Sequence, residues 1–171
     1  MFDNIVPGLI SGVVSGLLAS LLFYIFMQLI KPRLRVSPKI ALEVSADGTY
    51  IYRIKVVNAS KTELTNIRYR LYYCKITSNG SMVDIKELPP AKVPIFMISR
   101  YDKKSEVCEY AYRLSYKVDS KEYPLDKDHY MMFSISAEHS VSNTLKSVTK
   151  TYQANDIQKG CFETGLSLKI I

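Results

Sequence analysis

The sequence is poor in groups that do chemistry near neutral pH. It has two histidines, His129 and His139, and three cysteines, Cys74, Cys108 and Cys161. A GxSxG elbow, an HExxH pair, a Walker loop and a dinucleotide fingerprint are all missing, so no catalytic residue is expected. A membrane-bound hydrolase built on convergent carboxylates or His129 stays open as a third class, because spatial pairs are invisible in sequence. The cysteines are odd in number, widely spaced and without a CxxC. That suits reduced cytosolic thiols better than a disulfide framework. Asp126-Lys127-Asp128-His129 brings two carboxylates near an imidazole, but neither a DxDxDG loop nor a paired-His motif accompanies it. No metal and no cofactor are expected.

Charge is missing where it matters most. From Asn4 to Ile30 no side chain is charged, and no Lys or Arg precedes Lys31. A helix rises about 1.5 Å per residue against a hydrocarbon core of about 30 Å, so the stretch from Ile5 to Ile30 can cross a bilayer once. Asn4 can cap that helix and Pro7 fits its first turn. The apolar run is longer than a secretory signal, and its N-terminal flank carries Asp3 in place of a positive n-region, so a retained anchor is expected. Lys31, Arg33, Arg35 and Lys39 crowd its exit and place the remaining chain in the cytoplasm by the positive-inside rule. The same four residues are candidates for lipid headgroup contact. A lumenal alternative would turn Asn58-Ala59-Ser60 and Asn79-Gly80-Ser81 into glycosylation acceptors.

What the span does contain is a row of small residues. Gly8, Gly12, Gly16 and Ser20 recur every fourth position, with Ser11, Ser15 and Ala19 beside them. Lipid tails are as apolar as leucine, so helices associate in membranes by close packing and hydrogen bonding, and this face predicts a homo-oligomer. Packing against a different membrane protein, or against nothing, are the alternatives.

Net charge is +7, and because Asp3 is the one charge before Lys31, the rest of the chain carries +8. After Ile30 the apolar period changes from helical to two. Pro32 and Pro38 discourage a continuing helix, giving a basic linker over 32–39 between a helix in 1–31 and a domain in 40–171. Strands are expected around Ile40–Val44, Tyr50–Val57, Ile67–Cys74, Met82–Leu88, Cys108–Val118, Met131–Ala137 and Leu145–Tyr152, with a last one closing the sheet through Leu166, Leu168 and Ile170. Asp47-Gly48 and Ser78-Asn79-Gly80-Ser81 mark turns. Val93–Ile98 contains Pro94 and reads as an edge strand, or as an exposed docking strip. About eight short strands, no soluble helix and no repeat predict an all-β soluble domain, an antiparallel β-sandwich, with a small β-barrel as the rival. Arg53, Lys55, Arg68, Arg70, Arg113 and Lys117 fall on outward faces of these strands with Tyr72 among them. They form a candidate site for an anionic nucleotide or a similar ligand, the other reading being a solvated sheet face.

Val56-Val57-Asn58-Ala59-Ser60, then Leu64 and Asn66-Ile67-Arg68-Tyr69, resembles the end of strand B, its loop and strand C in bacterial immunoglobulin-like modules of the cell-adhesion-related kind. The resemblance covers about 20 residues. It implies an immunoglobulin-like sandwich with a binding or scaffolding role and no reaction. The layout, an anchor followed by a β-domain, is similar to small membrane effectors of bacterial anti-phage signalling, in which a β-domain senses and the membrane part disrupts the bilayer. The expected protein is therefore a single-pass inner-membrane protein that self-associates through its glycine face. Its partners are membrane lipids, further copies of itself and a partner protein or anionic nucleotide, with no specific nucleic-acid binding. A static tether that recruits a partner is the competing class.

Overall fold

The computed structural model describes residues 5–29, 31–45, 49–76, 82–91, 94–119 and 122–171. The chain divides into two compact units, Met1–Lys31 and Pro32–Ile171. The turns expected at Asp47-Gly48 and at Ser78-Asn79-Gly80-Ser81, the cap at Asn4, and Val93 lie outside the described residues.

The first unit is one helix, α1 (Ile5–Leu29). Every side chain from Pro7 to Phe26 is exposed, on all sides of the helix. A helix apolar all round belongs in a protein core or in a bilayer, and the window Pro7–Met27 is long and apolar enough for the latter. A Cβ added at Gly8, Gly12 or Gly16 would meet no other atom. The Ser20 hydroxyl donates to the Gly16 carbonyl at 2.8 Å, so that donor is satisfied within α1.

The second unit consists of two β-sheets. Sheet A holds β1 (Leu34–Val36), β2 (Ile40–Val44), β3 (Tyr50–Asn58), β7 (Ala111–Val118) and β10 (Ile157–Lys159). Sheet B holds β4 (Leu64–Ile76), β5 (Met82–Leu88), β6 (Met97–Ile98), β8 (His129–His139) and β9 (Leu145–Tyr152). In sheet A, β7 pairs one edge of β3 along its length, while β1 and β2 share the other edge. Ser37 bridges the gap between those two: its N–H donates to the Lys55 carbonyl at 2.8 Å and its hydroxyl accepts from the Lys55 N–H at 3.2 Å. In sheet B, β4 pairs β8 on one edge and β5 and β6 on the other. Residues alternating inward from both sheets form the core, with Ile54, Val56, Tyr116, Leu71, Phe133 and Ile135 among its most buried members.

Several expectations need correction. Sheet A is mixed, because β10 runs parallel to β2, and it is curled as a half-barrel, so the domain is not a clear all-antiparallel immunoglobulin-like sandwich. The stretch expected as a linker, 32–39, contributes β1 to sheet A: Leu34 and Val36 are buried and Arg35 points out. β7 starts at Ala111 and not at Cys108, whose φ of 54° takes the chain through the left-handed region before the strand begins. Leu166, Leu168 and Ile170 form no closing strand. Instead Gly160, at φ 134°, and Gly165, at φ 66°, fold residues 161–171 into a loop closed by paired bonds between Cys161 and Ile171. A Cβ on Gly160 would collide with the Ile171 carbonyl. This loop buries Phe162 and Ile170 against Ala41 on the outer face of sheet A. Val93–Ile98 divides: Ile98 is buried at the sheet edge, whereas Phe96 is 77% exposed.

Candidate functional site

Two cations oppose each other on sheet A. Lys55 of β3 is the Cα partner of Arg113 on β7. The Asn58 N–H donates to the Tyr110 carbonyl at 2.8 Å, which makes that pair a hydrogen-bonded one. By the alternation of an antiparallel ladder, Lys55 and Arg113 are then a non-hydrogen-bonded pair, the kind whose side chains lie closest. Like charges in that position repel. No carboxylate lies within ion-pair distance of either cation among the described residues. They are solvated by carbonyls of the C-terminal loop: Lys55 Nζ donates to Glu163 at 2.5 Å and to Ser167 at 2.7 Å, and Arg113 donates to Phe162 at 2.8 Å. Lys55 is only 1% exposed. Its burial, followed by the nearby Arg113 charge, holds its ammonium below the usual lysine range.

Both cations line a cavity of about 460 Å³ that follows β7 from Ala111 to Ser115. Tyr69 and Tyr112 supply aromatic surface, and Ile95, Val107 and Leu114 supply apolar surface. Cys108 and Glu106 come from the preceding loop, and Thr164 and Gly165 from the C-terminal loop. The Tyr110 phenol donates to Cys108 Sγ at 3.5 Å, and that bond together with burial pushes its pKa up to about 12. An apolar and aromatic pocket with a few convergent polar groups is the usual form of a small-molecule site. Its ionisable lining consists of the cations Lys55 and Arg113, the carboxylate residue Glu106, Cys108 and the two phenols.

The seven residues expected to hold an anion therefore do not form one site. Lys55 and Arg113 meet in the cavity, and Lys55 is buried where an outward, solvated position was expected. Residues 161–171 cover its face of the strand. Arg53 is ion-paired with Glu43, and Lys117 is exposed farther along β7. Arg68, Arg70 and Tyr72 lie on the outer face of sheet B, over a shallow depression with Ser134, Ser136 and Thr149. There Arg70 donates to the Tyr72 hydroxyl at 3.3 Å. Tyr69, Tyr112, the 106–108 loop and the C-terminal carbonyls were not among the expected site residues, and the strand alternation alone pointed to the two tyrosines.

Elsewhere, His129 Nδ1 lies 2.5 Å from Asp126 Oδ1, and its ring stacks on Tyr73 with centroids 5.2 Å apart. The bond to His129 lowers the Asp126 pKa. Among the described residues no three metal-ligating side chains converge. Asn58 is fully buried: its Nδ2 donates to the carbonyls of Thr62 at 2.8 Å and Ser99 at 3.0 Å, and its Oδ1 accepts from the Ser60 N–H at 2.8 Å. Of the basic exit, Lys31, Arg33, Arg35 and Lys39 are all exposed, and Lys39 reaches Gln158 Oε1 at 3.4 Å. Neither a protein-family model nor a characterised protein sequence matches this chain.

Proposed function

We propose that this is a single-pass bacterial inner-membrane protein whose spans self-associate through the Gly8, Gly12, Gly16 face, flanked by Ser11, Ser15 and Ala19. Its β domain, on the cytoplasmic side, binds an anionic ligand with an apolar or aromatic body. The observation that carries this reading is the opposed pair Lys55 and Arg113, two cations without an ion-pair partner among the described residues, on the wall of a roomy cavity. The uncovered apolar surface of α1 supports the anchor, and the open space beside its glycines supports close helix approach. An immunoglobulin-like layout is our reading of the two sheets and the Val56–Tyr69 stretch, and it implies binding without reaction. In its sharper form, ligand binding rearranges the spans and compromises the bilayer, as in the anti-phage effectors that the layout resembles.

Induced expression with a potential-sensitive dye tests the effector reading. Loss of membrane potential with the wild type, abolished by Gly12→Ile with Gly16→Ile and again by Lys55→Met with Arg113→Gln, is the expected result. An intact potential on wild-type expression contradicts it and leaves the static tether.

A further inference from the structure

We propose that the open edge of β7 takes up a short extended peptide of a partner protein, with an acidic residue set against Arg113. The inference rests on the reading of the Lys55 and Arg113 cavity as a binding site, and it names the class of ligand. Every residue of β7 from Ala111 to Ser115 lines that cavity. Successive side chains of a strand point to opposite faces, so a cavity touched by all of them lies along the edge of the strand and not over one face. Pro90 and Ile95 stand on its far side.

Main-chain groups face the cavity from that edge. The Lys55 N–H donates to Ser37 Oγ at 3.2 Å and the Lys55 carbonyl accepts from the Ser37 N–H at 2.8 Å, both on the side of β3 away from β7. Lys55 and Arg113 therefore exchange no main-chain bond, and the Arg113 N–H and carbonyl point outward from the edge. Ala111 and Ser115 point the same way: the Ala111 N–H donates to the Cys108 carbonyl, and the Ser115 carbonyl accepts from the Ala91 N–H, each at 2.8 Å. Those bonds close the edge at its two ends. Between them, the Ala111 carbonyl and both main-chain groups of Arg113 have no hydrogen-bond partner among the described residues. Such an edge is a template for another strand. Its closed ends admit a chain end or a short extended segment, but not the full β7 of a second copy. Pairing two copies about Arg113 would also set like charges against each other.

Side chains then specify the occupant. In an antiparallel addition the residue opposite Arg113 exchanges both main-chain bonds with it and shares its face of the sheet. A carboxylate there meets the guanidinium, which keeps further N–H donors beyond the one committed to the Phe162 carbonyl. The charged residues of the lining are Lys55 and Arg113 against Glu106, and neither cation has an ion-pair partner among the described residues. The peptide residues before and after the acidic one fall on the other face, beside Leu114 and Tyr112, where Tyr69 and Ile95 complete an apolar wall. The edge thus selects an acidic residue between two apolar ones, in extended form. A nucleotide would meet the cations but leave the main-chain groups of the edge unpaired.

The test titrates the full chain, in detergent micelles, into the capped peptides Val-Glu-Val-Thr and Leu-Glu-Phe-Thr, each carrying fluorescein at its C-terminus, and reads anisotropy. Saturable binding is expected. N-methylation of the glutamate, which removes the donor to the Arg113 carbonyl and leaves the side chain in place, should weaken binding to the wild type roughly tenfold or more. Glutamine in place of the glutamate should weaken binding to the wild type but make no further difference to Arg113→Gln. Binding that ignores N-methylation overturns strand addition, and because this comparison uses the wild type it stands whether or not Arg113→Gln folds. If neither peptide binds while ATP does, and Arg113→Gln abolishes the ATP binding, the peptide is wrong and the anion-binding cavity stands. If neither the peptides nor ATP bind, both readings fall. Cross-links between copies through Ser115→Cys, without peptide binding, assign the edge to a second copy and also overturn the proposal.

Discussion

Lys55 and Glu163 meet across 108 positions of sequence, the ammonium of β3 donating to the backbone carbonyl of the C-terminal loop at 2.5 Å. The bond exchanges water around a buried cation for main-chain dipoles, and the Ser167 carbonyl completes the exchange at 2.7 Å. It also places Thr164 and Gly165 at the cavity wall. Lys55→Met keeps the apolar stem but removes both bonds. Global stability should change by no more than about 1 kcal/mol, since the lost bonds are offset by relief of desolvation and of repulsion from Arg113. Amide exchange within 161–171 should accelerate about tenfold, while exchange in β4 and β8 stays as it was.

Tyr116 and Tyr152 offer a matched comparison. Both are fully buried, but the Tyr152 hydroxyl donates to the Ser37 carbonyl at 2.8 Å, whereas the Tyr116 hydroxyl has no hydrogen-bond partner among the described residues. Removing a satisfied donor costs about 1 kcal/mol, while removing an unsatisfied one relieves a desolvation penalty. Urea unfolding should show Tyr152→Phe destabilised by about 1 kcal/mol and Tyr116→Phe equal to or more stable than the wild type by up to about 1 kcal/mol.

Asn58 ties β3 to the 98–104 loop through hydrogen bonds that no other side chain of its size supplies. Asn58→Ala leaves the carbonyls of Thr62 and Ser99 without this donor, and the Ser60 N–H without its acceptor. The expected loss is about 2–4 kcal/mol in chemical unfolding. Asn58→Asp should recover only part of it, because a carboxylate keeps the acceptor and loses the donors.

Alkaline stability follows from the buried phenols. Burial raises the pKa of Tyr52, Tyr69, Tyr116 and Tyr152, and burial followed by the Asp126 charge raises that of Tyr73 to about 12. A phenol that ionises less readily in the folded state contributes stability that is present below its ordinary value of 10.0 and is lost as pH rises through the raised one. Ultraviolet titration should therefore show the buried phenols ionising only above their ordinary value and in step with unfolding. A single unperturbed phenolate transition for all 13 tyrosines contradicts this.

The strands were legible because one face of each is buried: Ile54 and Val56, or Phe133 and Ile135, alternate with polar neighbours, and that period of two survives in the fold. The long apolar helix was legible because its length and lack of charge are local properties. The C-terminal loop was not. Leu166, Leu168 and Ile170 alternate as a strand does, but Gly160 and Gly165 permit left-handed turns that send the chain back over sheet A. The same loop turned Lys55 from an outward residue into a buried one, so the cation pair emerged only when residues 108 and 49 positions apart were seen in contact. Parallel pairing of β10 with β2 was equally hidden, since Ile157–Lys159 is three residues long and carries no pattern of its own.

The most direct test of the central claim, that α1 spans the membrane and associates through its glycine face, is cross-linking of the full chain in native membranes. A ladder above the monomer is predicted for the wild type. Gly12→Ile with Gly16→Ile should collapse it, and Leu17→Ile with Leu21→Ile should leave it intact. A ladder unchanged by the glycine substitutions would contradict the account.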